Sequence, residues 1–432
     1  MKLKIFLALT FIFCVLPSAW AGDENIMAVV TVPIAPLIAD DGTLDNEALY
    51  GFTTSAVLSD DYVFLKMSYG YTPTDKKNVS LISESEAQKW ISSVNYRVIA
   101  PFADIVPEAK TQSYPPLITL PRGAFLKVGE IYSDDERYFE TELFGGVKGF
   151  VRKNSVRPIR EWDFKNEDLM RKNLVDDAKL YLGTSYRWGG LTPQGIDCSG
   201  FIHIVYSLNG LEVYRNSRPK FGFPIALKHV SGTPENTFTL ENLKDVKPGD
   251  TIHFSGHVGM YIGDGKFIHA NGTDFSTTLS SLISGDENFR DDIGHPSEVN
   301  TFGTAFPDEP EKLTVKEFYA TPFISGDKTG YHFYARADGY APNKAVIYPE
   351  GLDAKENFIF IDEDFALFRF LYSARNSDKA PAYFYTKPGK YKPAVQLIND
   401  EGYRPSGKNI ISEIFEMPEY VEITSSDFGF QE

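Results

Sequence analysis

One cysteine stands at the head of an apolar run in GIDCSGFIHIVYSLNG, Gly195 to Gly210. A thiol reacts as its thiolate, so the surroundings of Cys198 decide whether it is a nucleophile. Asp197 is placed to cap a helix over residues 197–208, and Asn209-Gly210 to end it, which puts Cys198 in the first turn. There the helix dipole and free N–H groups favour an anion. The thiol pKa is therefore expected to fall, and the same amides can hold a developing oxyanion. The alternative is burial as a small hydrophobe, which gains nothing from that position.

A cysteine nucleophile needs a histidine within hydrogen-bonding reach. PGDTIHFSGHVGMYIGDGKFIHAN, Pro248 to Asn271, offers His253, His257 and His269. HVGMYIG and KFIHAN read as a hairpin about Gly263-Asp264-Gly265. A three-residue loop pairs Ile262 with Lys266 and Gly259 with His269, so that His257 and His269 are diagonal neighbours on one face. Gly259 leaves them room. A two-residue loop would put the histidines on opposite faces. On the first register His257 is the base and His269 the group that orients it. His253 and His257 also have helix-like metal spacing, but they flank Ser255-Gly256 in strand context without a carboxylate or second cysteine, so no metal is expected. His203 lies well around the helix from Cys198 and reads as structural. No cofactor is required.

These residues need a scaffold. Residues 165–183 predict a helix, with Leu169, Leu174, Ala178 and Leu182 near helical spacing, Asn166 as its cap and Gly183 as its stop. Residues from about 30 to 160 read as all-β. AVLSDDYVFLKMS (Ala56–Ser68) and FLKVGEIYSDDERYFETEL (Phe125–Leu143) repeat one plan, with GGVKGFV (Gly145–Val151) closing the second copy; two small barrels or one larger β-domain fit this. After Pro307, short aromatic runs such as YHFYARA, NFIFI and AYFYT predict a β-rich, sandwich-like C-terminal domain. Its aromatics either fill a core, the favoured reading, or form a ligand surface.

Lys2 and Lys4, the apolar stretch Ile5–Leu16 and Ala19-Trp20-Ala21 read as a cleavable export signal over residues 1–21, too short for a membrane span of roughly 20 residues. Cleavage removes Cys14, leaves Cys198 as the one thiol, and excludes an internal disulfide. The chain of 432 residues is long enough for roughly three domains. Its net charge is −16, which argues against nucleic acid as a partner. A monomer is expected.

YRWGG, DCSG, PGD and HVGMYIGDGKFIHA, in this order, resemble the NlpC-type cell-wall cysteine peptidases, which have a papain-like α+β fold. The likeness covers roughly residues 165–275. It implies Cys198 as nucleophile, His257 as base, His269 as the orienting member and Tyr186 beside the nucleophile, aiding the oxyanion site; Trp188 reads as packing. Relatives with two N-terminal SH3-like barrels cut γ-D-glutamyl–diamino acid bonds in peptidoglycan stem peptides. By that likeness Tyr71, Asp197 and Ser199 line the substrate cleft. Two positions depart from the pattern: after ALYG (Ala48–Gly51) relatives often carry a glutamate where this chain has Phe52, and Arg-Asp-Ser becomes Arg215-Asn216-Ser217. Both changes remove a carboxylate from the end of the cleft that reads the substrate's free amine, where Phe52, Asn216 and Ser217 would lie.

The expected architecture is a signal (1–21), SH3-like barrels over 30–95 and 96–160, a papain-like peptidase domain over 165–305 and a β-rich domain over 312–432. The expected function is that of a periplasmic or extracellular thiol peptidase acting on peptidoglycan stem peptides. An amidase or acyltransferase on the same scaffold, or a non-catalytic wall-binding protein, are the alternatives.

Overall fold

A computed structural model describes residues 26–67, 69–132, 137–217, 225–228, 230–233, 235–296, 299–306, 312–326, 328–340, 342, 344–361, 380–399 and 409–428. The expected export signal and the Ser133-Asp134-Asp135 turn lie outside the described residues.

The N-terminal repeat is a repeat of topology. Strands β1 (Ile26–Val30), β2 (Ile34–Ile38), β3 (Leu44–Leu49), β4 (Thr53–Leu58), β5 (Tyr62–Met67), β6 (Gly70–Asp75) and β7 (Val79–Ser83) form a sheet ordered β6-β5-β4-β1-β7 plus the ribbon β2-β3. Strands β8 (Tyr96–Val98), β9 (Phe102–Ile105), β10 (Ile118–Pro121), β11 (Phe125–Tyr132), β12 (Tyr138–Glu142), β13 (Lys148–Arg152) and β14 (Val156–Pro158) repeat it as β13-β12-β11-β8-β14 plus β9-β10. Each copy has its own core, Val30, Leu37, Val63 and Leu65 in the first, Ile105, Leu120, Leu126 and Val151 in the second. The all-β expectation fails at one place. Helix α1 (Glu84–Ser93) joins the copies, started by a capping box in which Ser83 accepts from Glu86 N and Glu86 accepts from Ser83 N.

Helix α2 (Glu167–Lys179) begins after Asn166, whose side chain makes no cap bond, and the chain turns away at Gly183 with φ +79°. Its inward face is Met170, Leu174 and Ala178; Leu169 and Leu182, expected to face inward, are exposed. Helix α3 (Cys198–Ser207) is apolar on almost every side and sits centrally, as such a helix must. After the short pair β15 (Leu191–Thr192) and β16 (Gly195–Ile196) comes a large antiparallel sheet. It comprises β17 (Ala226–Lys228), β18 (Thr251–Phe254), β19 (His257–Gly263), β20 (Lys266–Asn271), β21 (Ser276–Ser281), β22 (Val299–Thr304), β23 (Leu313–Ser325) and β24 (Lys328–Tyr340), ordered β21-β20-β19-β18-β22-β17-β24-β23. Val258, Met260, Ile268 and Ala270 pack against α2 and α3 on one face, and Ile252, Tyr261, Phe267 and Phe302 build a second core.

The short strand β17 pairs with β22 on one side and β24 on the other. The hairpin β23–β24 is therefore an extension of the catalytic sheet, while strands Lys344–Tyr348, Phe358–Ile361, Ala394–Asn399, Ile410–Ile411 and Phe415–Glu416 form a separate sheet. Among the described residues, aromatics of the C-terminal part fill a core: Phe318 and Phe333 are almost fully buried and stack at 5.6 Å. No described helix is long and apolar enough to cross a membrane.

The second β-unit is bolted to the peptidase part through Asp177 of α2, which is 2% exposed. It accepts from Arg157 at 2.8 and 2.7 Å, Arg160 at 3.2 Å and Asn209 at 2.9 Å. Removing one partner of a buried pair strands the other's charge. Asp177→Ala is expected to lower the unfolding free energy by about 3–5 kcal/mol; a urea titration showing a loss below about 1 kcal/mol would contradict this account of the junction.

Candidate active site

Cys198 opens α3 as the sequence predicts. Asp197 caps the helix, its Oδ1 accepting from Gly200 N at 2.8 Å. The loop must come close for this to work. A Cβ on Gly200 would lie 2.3 Å from Gly190 O, and one on Gly190 would lie 2.3 Å from Gly195 O. That is why Gly-Gly in the loop and Ser-Gly after the cysteine accompany each other.

The expected hairpin register is present, by a different route. Asp264 and Gly265 form a two-residue turn, both in the left-handed region with φ +51° and +72°, and Gly263 pairs with Lys266. A bulge between Tyr261 and Gly263 then absorbs one residue, so Met260 faces Ile268. Continued along the strands, this is the register in which His257 and His269 share a face. His257 Nε2 lies 2.7 Å from His269 Nδ1. A Cβ on Gly259 would approach His269 Cβ to 3.3 Å, so glycine there keeps the pair uncrowded. His269 Nε2 in turn lies 3.0 Å from Ser280 Oγ on β21.

The strand start reaches the nucleophile: the backbone amide of Val258, the residue after His257, favours the Cys198 thiolate electrostatically, as does that of Ser199. The expected fall in the thiol pKa is not what this surrounding produces. Cys198 is 8% exposed, and burial, with Asp197 adding to it, pushes the thiol up to about 12 against the Val258 and Ser199 amides and Arg215. Burial and the Arg290 guanidinium push His257 down to about 4, against Asp197 and Asp292. His269 is lowered well below the usual range by burial and by His257. Each group taken singly is neutral. Burial is the largest influence on the thiol.

Asp197 and Ser199 are both buried, and both are hydrogen-bonded within the protein. Arg215 holds Asp197 in a fork, at 2.7 Å to Oδ1 and 2.8 Å to Oδ2, and donates to Ser199 Oγ at 2.5 Å. Asp197 Oδ2 also accepts from Gly189 N at 2.7 Å. Arg215 reaches Asn46 Oδ1 of the first β-unit at 3.0 Å and Gly190 O at 3.1 Å. Sequence reasoning named Arg215 only as part of a triplet; eighteen positions from Asp197, it gives no local signal of the pairing.

Tyr186 is half-buried and its hydroxyl is raised to about 12 by burial and by Cys198 and Asp197, so it remains a neutral donor beside the thiol. Trp188, expected to pack, is 68% exposed. Phe52 is half-buried and packs on the core of the first β-unit. Tyr71 is 49% exposed on β6. Its neighbour Tyr69 faces the peptidase part, its ring 6.0 Å from that of Tyr214 and its hydroxyl within electrostatic reach of Arg215. Asn216 is exposed, and the Ser217 carbonyl accepts from His253 Nδ1 at 3.0 Å. His253 places its other nitrogen 2.9 Å from Thr251 Oγ1, and His203 places Nδ1 2.7 Å from Val213 O, which makes both structural. Glu47, an acid of the first β-unit, is also committed: it pairs with Arg187 and accepts from Leu191 N at 2.8 Å.

The family pattern described as NlpC/P60 matches residues 183–285, a span holding Cys198, His257 and His269. A dipeptidyl-peptidase 6 of Lysinibacillus sphaericus is 30% identical over 286 residues, which is 65% of this chain and 99% of that protein. The chain belongs to the NlpC/P60 family. It is thereby a hydrolase of peptide bonds in a cysteine-peptidase family, with the papain-like NlpC/P60 fold as its catalytic part. A gamma-D-glutamyl-L-lysine dipeptidyl-peptidase of Bacillus subtilis is 28% identical over 167 residues, 37% of this chain and 50% of that protein. A solved NlpC/P60 family protein from Bacillus cereus is 21% identical, with a TM-score of 0.47 over 65% of this chain and 100% of that one.

Because burial holds the Cys198 thiol up, removing the neighbouring base should expose that effect alone. In His257→Ala, iodoacetamide modification of Cys198 is expected to rise with pH through an apparent pKa above about 8.5, the ordinary thiol value, and above that of the wild type. A variant whose thiol still titrates below 8.5 would show that the helix terminus overcomes burial.

Proposed function

We propose that this chain is an exported endopeptidase that cuts γ-D-glutamyl–diamino acid bonds in peptidoglycan stem peptides by a Cys198-His257-His269 mechanism. The observation that carries the reading is the 2.7 Å contact between His257 Nε2 and His269 Nδ1, made by the strand whose next amide favours the Cys198 thiolate. The name of the Bacillus subtilis relative supplies the bond type. On this reading residues 30–95 and 96–160 are SH3-like barrels, 165–305 the peptidase domain and 312–432 a sandwich-like domain.

The chemistry follows from the neutral resting pair. The Cys198 proton passes to His257 Nδ1 as the sulfur attacks the amide carbonyl carbon, so the charged pair forms with the substrate in place. Amides at the start of α3 and the Tyr186 hydroxyl stabilise the oxyanion. His257 then gives its proton to the leaving amine, and a water activated by the same ring hydrolyses the thioester. His257→Ala is expected to abolish turnover of purified muropeptides followed by mass spectrometry, while His269→Asn, which still accepts a hydrogen bond, keeps measurable activity. Near-wild-type turnover by His257→Ala would remove His257 as the base. A product joined to a new amine instead of water would favour the acyltransferase alternative.

The amine end of the substrate is where this chain should differ. Phe52 packs into the barrel, Asn216 carries no charge, Asp197 and Ser199 are held by Arg215, and Glu47 is held by Arg187. An ammonium buried without a carboxylate costs several kcal/mol. Discrimination in favour of a free L-Ala amine should therefore be weak, and stem peptides still joined to glycan should be accepted. A kcat/KM preference of ~100-fold or more for the free over the N-acetylated peptide, worth about 2.7 kcal/mol, would contradict this.

A further inference from the structure

The histidine pair has a third partner. His257, His269 and Ser280 lie on three neighbouring strands, β19, β20 and β21. Thr278 faces His269 across the ladder and Ser280 is two residues further on, so Ser280 and His269 are diagonal neighbours on one face. The side chains form a row, 2.7 Å from His257 Nε2 to His269 Nδ1 and 3.0 Å from His269 Nε2 to Ser280 Oγ. His269 and Ser280 are almost fully buried.

A neutral imidazole carries one N–H, and which nitrogen holds it decides what the ring can do. His257 turns Nε2 to His269, leaving only Nδ1 to take a proton from the thiol. If His269 Nδ1 carried the shared hydrogen, His257 would hold its own on Nδ1 and could accept nothing. The productive state has the hydrogen on His257 Nε2, donated to a bare His269 Nδ1. His269 must then carry its hydrogen on Nε2, and once His257 becomes imidazolium no other arrangement is open. That buried Nε2–H needs an acceptor. The Asn271 amide nitrogen, 3.5 Å away, is itself a donor and gives its hydrogens to Asp274 Oδ2 and Thr278 Oγ1, both at 3.0 Å. The Ser280 hydroxyl is the acceptor in reach.

We propose that Ser280 is a positioning residue, whose hydroxyl accepts the Nε2–H of His269 and holds the histidine pair in the one tautomer in which His257 can take the Cys198 proton. This rests on the Cys198-His257-His269 reading above. Its loss strands a buried donor mainly when His257 is charged, so the effect falls on the chemical step rather than on binding.

The test uses the full chain with Ser280→Thr and Ser280→Val, which have the same shape and differ in the acceptor, beside Ser280→Ala. For Ser280→Ala and Ser280→Val, kcat is expected to fall about 10- to 100-fold with KM little changed, and the apparent pKa for iodoacetamide modification of Cys198 to rise by about one unit. Ser280→Thr should keep wild-type kcat and pH profile. A structural role would lower the fraction of active enzyme without moving the pH profile, and would not separate threonine from valine. If valine and threonine behave alike while His257→Ala is inactive, the proposal falls and the triad reading stands. If His257→Ala is active, the triad reading falls with it. Should Ser280→Ala fail to fold, the contrast between threonine and valine decides alone.

Discussion

The site depends on one buried ion pair, Asp197 with Arg215. The carboxylate accepts from Gly200, Gly189 and Ser199 as well as the guanidinium, and the guanidinium reaches Gly190 and, across to the first β-unit, Asn46. Two charges out of water are expensive, and this pair is tolerable because nearly every lone pair and N–H on it finds a partner. It sets the start of α3, hence the position of Cys198, and the course of the Gly-rich loop that carries Tyr186. The same pair also sets the electrostatics. Asp197 opposes thiolate formation while Arg215 favours it, Asp197 being the stronger influence.

The first β-unit is part of the site rather than an appendage. Asn46 binds Arg215, Glu47 binds Arg187 and the Leu191 amide, Tyr69 meets Tyr214, and Leu49 joins the core under α3. Glu47, an acid of this unit, holds the loop through Arg187 and the Leu191 amide, and the result is a rigid wall beside the nucleophile. Rigid first contacts are what placement of a carbonyl over a sulfur requires.

Local signals carried most of the site. Asp197 as a cap, Cys198 at the first turn and the shared face of the histidines all follow from neighbours in the chain, and all are present. The register survived a wrong turn length because the bulge at Ile262 restored the parity that Asp264-Gly265 removed. What stayed hidden was non-local or directional. Arg215 and Ser280 lie far along the chain from the groups they contact, and Trp188 is exposed to solvent although its type suggested packing. The thiol pKa runs opposite to expectation because a helix terminus is visible in sequence and depth of burial is not. Helix α1 is written in Ser83-x-x-Glu86, but the β pattern on either side of it masks so short a signal.

The three-residue strand Ala226–Lys228 makes the long hairpin β23–β24 continuous with the catalytic sheet. Domains joined by a tether sample orientations, and whatever one binds is delivered to the other by effective concentration. Here the connection is a ladder of backbone hydrogen bonds, so any surface on the long hairpin β23–β24 keeps a set distance and angle to Cys198. A chain shortened before residue 313 would lose that hairpin and uncover the β17 edge.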